Sequence, residues 1–104
     1  MAKTKSQVKN CVGRLRVLAD ETRLRVIHQI IDNPLIVNEI NKVLKIVQSL
    51  LSHHLKVLRD AELVSSNRSG KSIRYSTITN VVSNPDSRII DLGCCQINFK
   101  EKKV

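Results

Sequence analysis

Aromatic side chains are almost missing from this chain of 104 residues, which has one Phe, one Tyr and no Trp. Any core must therefore be aliphatic, assembled from Leu, Ile and Val. Long apolar runs are missing as well, and none approaches the roughly 18 residues that a membrane span requires. The basic start, MAKTKSQVKN, has no apolar stretch behind it, which is not the pattern of a secretory signal. Catalytic equipment is also lacking. No Ser/His/Asp set, glycine-rich phosphate loop or pair of carboxylates occurs at a useful spacing, so neither an enzyme nor a required cofactor is expected. Three cysteines, an odd number, without a secretory pattern point to free thiols in a reducing cytoplasm.

Cations, by contrast, are abundant. Lys and Arg number 18 against 9 Asp and Glu, a formal net charge of +9. With a sequence pI near 10.0, the excess argues for a polyanionic partner or an anionic membrane surface. At this length the usual expectation is one domain with a small core.

The most informative stretch is residues 47–60. As a helical net, its Val47, Leu51, Leu55 and Leu58 recur at i, i+4, i+8 and i+11, an apolar stripe fit for a core. The other face carries Ser49, Ser52, His53 and Lys56, with no carboxylate among them. A solvated face usually mixes Glu with Lys. This one is suited to a major groove, where donors and acceptors read base edges and a cation meets phosphate; an ordinary solvated face is the plainer alternative.

Around that stretch the periodicity predicts helices over 5–19, 21–32 and 36–44. In the first, Val8, Cys11, Val12, Leu15, Leu18 and Ala19 form a stripe. Asp20 suits an N-cap for the second, whose buried side is Leu24, Ile27, Ile30 and Ile31, and Asn33-Pro34 ends it. His28 beside that stripe reads as a partly buried structural histidine. In the third helix Val37, Ile40, Val43 and Leu44 face inward. Lys45-Ile46 is then a tight connection, and the last two helices make a helix-turn-helix. Residues 63–67 and 72–78 read as strands joined by a turn over 67–71, with Gly70 able to take positive φ. Arg68, Lys71 and Arg74 put three cations on that hairpin, suited to a phosphate backbone or a minor groove, or simply to solvent. The fold class expected is mostly α with a β-hairpin wing, a winged helix-turn-helix. Residues 1–78 would be the DNA-binding domain, and 79–104 a dimerisation or sensing segment with a basic tail.

Three stretches, LADETRLRVIHQI (18–30), QSLLSHHLKVLRDAELV (48–64) and SGKSIRYSTI (69–78), resemble the ArsR/SmtB winged-helix transcriptional repressors. The likeness covers roughly residues 12–78, and the run from Ser52 to Arg59 with Tyr75 is its most specific part. It implies a homodimer that sets two recognition helices in successive major grooves of a palindromic operator and leaves when an inducer, commonly a metal or metalloid ion, binds. It would place Gln48, Ser49, Ser52, His53 and Lys56 against bases and nearby phosphates, with Arg68, Lys71 and Arg74 on the backbone.

The departures are specific. Lys45, Val47 and Glu62 stand where the family has turn or cap residues (often Gly, often Ser, usually Gly), so a less rigid recognition element is expected. A Cys-X-Cys ion site before the recognition helix is replaced by Ile36 and Asn38, and no His follows His54 to build the second known site. What remains is Cys11 with the vicinal pair Cys94-Cys95. Asn84-Pro85-Asp86 reads as a turn, and Ile89, Ile90, Leu92, Ile97 and Phe99 as a strand about Gly-Cys-Cys, in place of the usual last helix. Three thiols suit arsenite, antimonite or Cu(I), ions that prefer sulfur. Neighbouring residues on a regular strand point to opposite faces, so both cysteines reach one ion only if Gly93 permits a bulge or turn. A redox switch, an inducer-free regulator in which Cys11 is a small buried hydrophobe, and a winged-helix protein-docking module without DNA binding are the competing readings. The lysines at 100, 102 and 103 would form a disordered tail adding non-specific DNA attraction.

Overall fold

The structure, a computed structural model, describes residues 5–78 and 88–99, with side chains from Lys9 onward. Its elements are α1 (Lys5–Leu18), α2 (Glu21–Ile30), β1 (Leu35–Ile36), α3 (Val37–Leu44), α4 (Gln48–Asp60), β2 (Val64–Ser69), β3 (Ser72–Thr77), β4 (Ile89–Asp91) and β5 (Gln96–Asn98). The winged helix-turn-helix is therefore present as expected. The turn at Asn84-Pro85-Asp86, the Val8 side chain and the lysines of the tail lie outside the described residues.

Local chemistry sets the helix ends. Asp20 caps α2 by accepting a hydrogen bond from the Arg23 N–H at 3.0 Å. Ahead of α3, the Glu39 carboxylate accepts from the Ile36 N–H at 2.9 Å, half of a capping box. Lys45 closes α3 in the left-handed region at φ 56°, and Glu62 follows α4 at φ 60°. Val47 is the N-cap of α4 and makes no side-chain cap bond. All three departures from the family pattern thus sit at turn or cap positions, as anticipated.

The core is aliphatic, including Val26, Ile27, Ile30, Ile40, Leu51 and Leu55, with Tyr75 at its edge. Five large residues of the expected stripes lie outside it: Val12 and Leu15 are each 38% exposed, Leu24 37%, Val43, which was expected to face inward, 48%, and Val47 69%. Val47 precedes the first turn of α4, where the stripe has not yet reached the core. His54, two turns further along, joins the buried face. In α2, Val26 is buried instead of Leu24.

β1 pairs antiparallel with β3, and β3 with β2, in the order β1-β3-β2. The short β1 was not expected. The wing is longer than the sequence suggests, because Ser69 pairs with Ser72 and only Gly70 and Lys71 remain to turn the chain. Asn67, Arg68 and Ser69 belong to β2, and Gly70 takes φ 63° with open space around its Cα. The C-terminal strand is two short strands, β4 and β5, paired antiparallel and reversed through Gly93 at φ 97°. Ile90 and Leu92 from this hairpin are fully buried in the same aliphatic core as α2 and α4.

Candidate nucleic-acid interface and thiol cluster

Between α3 and α4 the chain turns in three residues, which Asn41 braces from both sides. Its side-chain amide donates to the Ile46 carbonyl at 2.8 Å and accepts from the Ile46 N–H at 2.9 Å. With Leu51, Leu55 and Leu58 buried, α4 is fixed about its axis, and Gln48, Ser49, Ser52, His53 and Lys56 all lie exposed on the opposite side. His54, by contrast, is buried and accepts at Nδ1 from the Arg23 Nε–H at 3.2 Å, while Arg23 also donates to the Val17 carbonyl at 3.0 Å. One histidine of the adjacent pair holds the recognition helix and the other faces outward.

The outer face is not wholly free of acids. Asp60, one turn beyond Lys56, pairs with it at 3.2 Å. Both partners are largely exposed, so the pair contributes little to stability, but it lowers the positive field that Lys56 presents. On the wing, Arg68, Lys71 and Arg74 are exposed, and none makes an ion pair among the described residues. Arg74 is tethered by a bond from its Nη1 to the Pro34 carbonyl at 3.3 Å, whereas no bond from another described residue restrains the Lys71 ammonium at the tip.

Against the middle of α1 the three cysteines come together. The positive φ of Gly93 reverses the strand and brings Cys94 and Cys95 to the same side, the condition that the sequence imposes for a shared site. Cys11 and Cys94 are joined as a disulfide, with Cα atoms 5.9 Å apart, and the free Cys95 Sγ lies 3.9 Å from that of Cys11. All three sulfur atoms fall within 4.8 Å of one another. Cys11 is buried and Cys95 exposed, so the cluster is anchored inside and open outside. With its disulfide reduced, such a set could hold one thiophilic ion.

Several contacts fasten this hairpin to the helices. Arg88 pairs with Asp32 at 3.4 Å and donates to the His28 carbonyl at 3.4 Å, and the Phe99 ring stacks on His28 with centroids 6.3 Å apart. His28 is half-buried in this role, the structural one expected. Arg14, Arg23, Asn41 and Arg88 were not singled out from the sequence. Each acts through a partner distant in the chain or through a backbone carbonyl, and neither leaves a spacing signal.

An exposed recognition helix on a helix-turn-helix, beside a cationic two-stranded ribbon, defines a winged-helix DNA-binding protein. Residues 20–66 match the family model described as bacterial regulatory protein, arsR family. The transcriptional regulator NmtR of Mycobacterium tuberculosis is 40% identical over 62 residues, 60% of this chain and 52% of that protein. The cadmium resistance transcriptional regulatory protein CadC of Listeria innocua is 31% identical over 91 residues, 86% of this chain and 71% of that protein. Among solved structures, HlyU from Vibrio cholerae superposes with a TM-score of 0.71 at 30% identity, covering 74% of this chain and 84% of that one. The matched stretch spans about half the length of NmtR. The chain belongs to the ArsR family, whose members are DNA-binding transcriptional regulators and not enzymes. No helix among the described residues is long and apolar enough to cross a membrane.

Proposed function

We propose that this chain is a sequence-specific transcriptional repressor that binds a palindromic operator as a homodimer. The observation that carries this reading is the exposed face of Gln48, Ser49, Ser52 and His53 beside an unpaired cationic wing, a surface matched to base edges and phosphates. Val12 and Leu15 on α1, each 38% exposed, are the apolar surface that a second copy would cover.

The proposed inducer is a thiophilic ion, As(III), Sb(III) or Cu(I), held by Cys11, Cys94 and Cys95. Support comes from the convergence of the three sulfur atoms and from their composition, since among the described residues no imidazole or carboxylate joins the cluster. Holding an ion requires the Cys11–Cys94 disulfide to be reduced, taking up two electrons and two protons, after which the thiols lose their protons to the incoming ion. The disulfide itself favours a second reading, in which oxidation and reduction of this pair are the signal.

Duplexes selected by the protein from a random pool supply the probe. Arsenite, antimonite, Cu(I), Cd(II) (suggested by the name of the relative CadC) and peroxide are titrated into the protein–duplex complex. Release by an ion under reducing conditions supports the first reading, and release by peroxide alone supports the second. Sequence-indifferent, weak binding to every duplex would remove the repressor reading in favour of a docking module.

A further inference from the structure

We infer that Arg14 transmits the state of the thiol cluster to the recognition helix. The inference rests on the reading of that cluster as the sensing site and names the residue through which it acts.

Arg14 stands three residues after Cys11 on α1, one turn along the same side. Its guanidinium donates in three directions. Nη1 reaches the Leu92 carbonyl at 3.2 Å, Nε the Ala61 carbonyl at 3.3 Å, and Nη2 the Glu62 carboxylate at 3.4 Å. Leu92 opens the turn that carries Cys94 and Cys95, and its N–H closes that turn on the Cys95 carbonyl at 2.9 Å. Ala61 and Glu62 form the C-terminal cap of α4, where the Ala61 N–H still bonds to the Val57 carbonyl. One planar group therefore holds the sulfur-bearing turn and the end of the recognition helix together, although 31 residues separate Ala61 from Leu92 in the chain.

The geometry makes this link sensitive. A guanidinium is a rigid fork, so its donors cannot follow two carbonyls that move apart. Gly93 leaves its Cα bare beside this fork, where an added Cβ would lie 4.0 Å from Nη1. A groove of about 690 Å³, lined by Gly13, Val17, Val57 and Ala61, opens beside the side chain and gives it room to swing. Opening the Cys11–Cys94 disulfide with a dithiol releases the turn from α1; the dithiol becomes a disulfide and the two cysteines gain its protons and electrons. An ion that then gathers three sulfurs on one centre repositions the turn. In either case the Leu92 carbonyl shifts relative to α1, and Arg14 keeps its bond to the turn or its bonds to the α4 cap, but not both.

The test is a coupling measurement on the full chain. Affinity for a duplex selected from a random pool is measured in reducing buffer with and without saturating arsenite, and again for the disulfide and dithiol-reduced forms without arsenite. The ratio within each pair is the coupling. We expect the parent to change affinity about tenfold or more in at least one pair. Arg14→Met should bind arsenite with the parent's stoichiometry and bind the duplex within about threefold of the parent, while its ratio falls to within twofold of unity. Arg14→Lys, with a single ammonium, should retain a reduced ratio, and it serves in place of the methionine variant should that one fail to fold. A merely structural arginine would shift the thermal midpoint or both affinities without changing the ratio, so a parental ratio in both variants overturns the inference alone. A parental ratio of one in both pairs removes the sensing reading and this inference with it.

Discussion

Glu62 occupies a left-handed backbone position with a side chain whose Cβ makes that conformation costly. Its compensation is a single ion pair with Arg14, and the Glu62 side chain there is 76% exposed. An exposed pair is worth little in water. Replacing Glu62 with glycine should therefore raise stability by about 1 kcal/mol, read as a higher urea midpoint with an unchanged slope; a lower midpoint would show that the ion pair outweighs the backbone cost. At Asp20 the sign of a pH effect follows from its surroundings. The hydrogen bond from the Arg23 N–H holds its carboxyl below the ordinary value, opposed by burial and helped by the charge of Arg23. A depressed carboxylate stabilises above its unfolded pKa of about 3.9 and loses that contribution as the pH falls through its folded value. Asp20→Asn keeps a capping side chain but not the charge. The stability gap between parent and variant should thus shrink as the pH is lowered from about 6 to 3, and a gap constant over that range would contradict the assignment. Lys45, Val47 and Glu62 were legible as exceptions because a known pattern surrounds them. Arg14 and Asn41 were not, since the partners of Arg14 lie far along the chain and those of Asn41 are backbone atoms.

The recognition helix was the most readable element, because an aliphatic stripe and a polar face with a 3.6-residue period constrain each other. Its one misplaced member, Val47, lies at the helix boundary, where periodicity is weakest. The wing was legible in place and charge but not in length, since pairing continues until a residue able to take positive φ ends it. β1 could not be foreseen: two residues carry no period, and their strand exists only because β3 offers an edge. The wing also yields an electrostatic prediction. Lys71 is exposed with no acidic partner among the described residues, whereas Lys56 is paired with Asp60. Lys71→Ala should weaken binding to all duplexes and reduce the dependence of log K on log salt by about one, and Lys56→Ala should reduce it by less. Equal slopes for parent and Lys71→Ala would remove the wing tip from the backbone contact.

At the scale of the whole molecule, the β4–β5 hairpin takes the place of a last helix and completes the core through Ile90 and Leu92. The sequence indicated strand here but not its fastening, which depends on Arg88, on Phe99 against His28, and on a disulfide spanning 83 residues. A cross-link over a loop of this length stabilises chiefly by restricting the unfolded chain, by about 4 kcal/mol. Reduction by dithiothreitol should lower the unfolding free energy by roughly that amount, whereas Cys95→Ser should leave the oxidised protein unchanged. Equal stability before and after reduction would mean that the hairpin is held by packing alone.

The repressor proposed above must read DNA sequence with the outer face of α4. The most direct measurement compares the base preferences of the parent with those of Ser52→Ala and His53→Ala by selection from one random duplex pool at fixed salt. Each variant should relax its preference at one or two base pairs, with roughly ten- to hundredfold discrimination lost there and the remaining positions intact. Selected sequences identical to the parent's in both variants would contradict it.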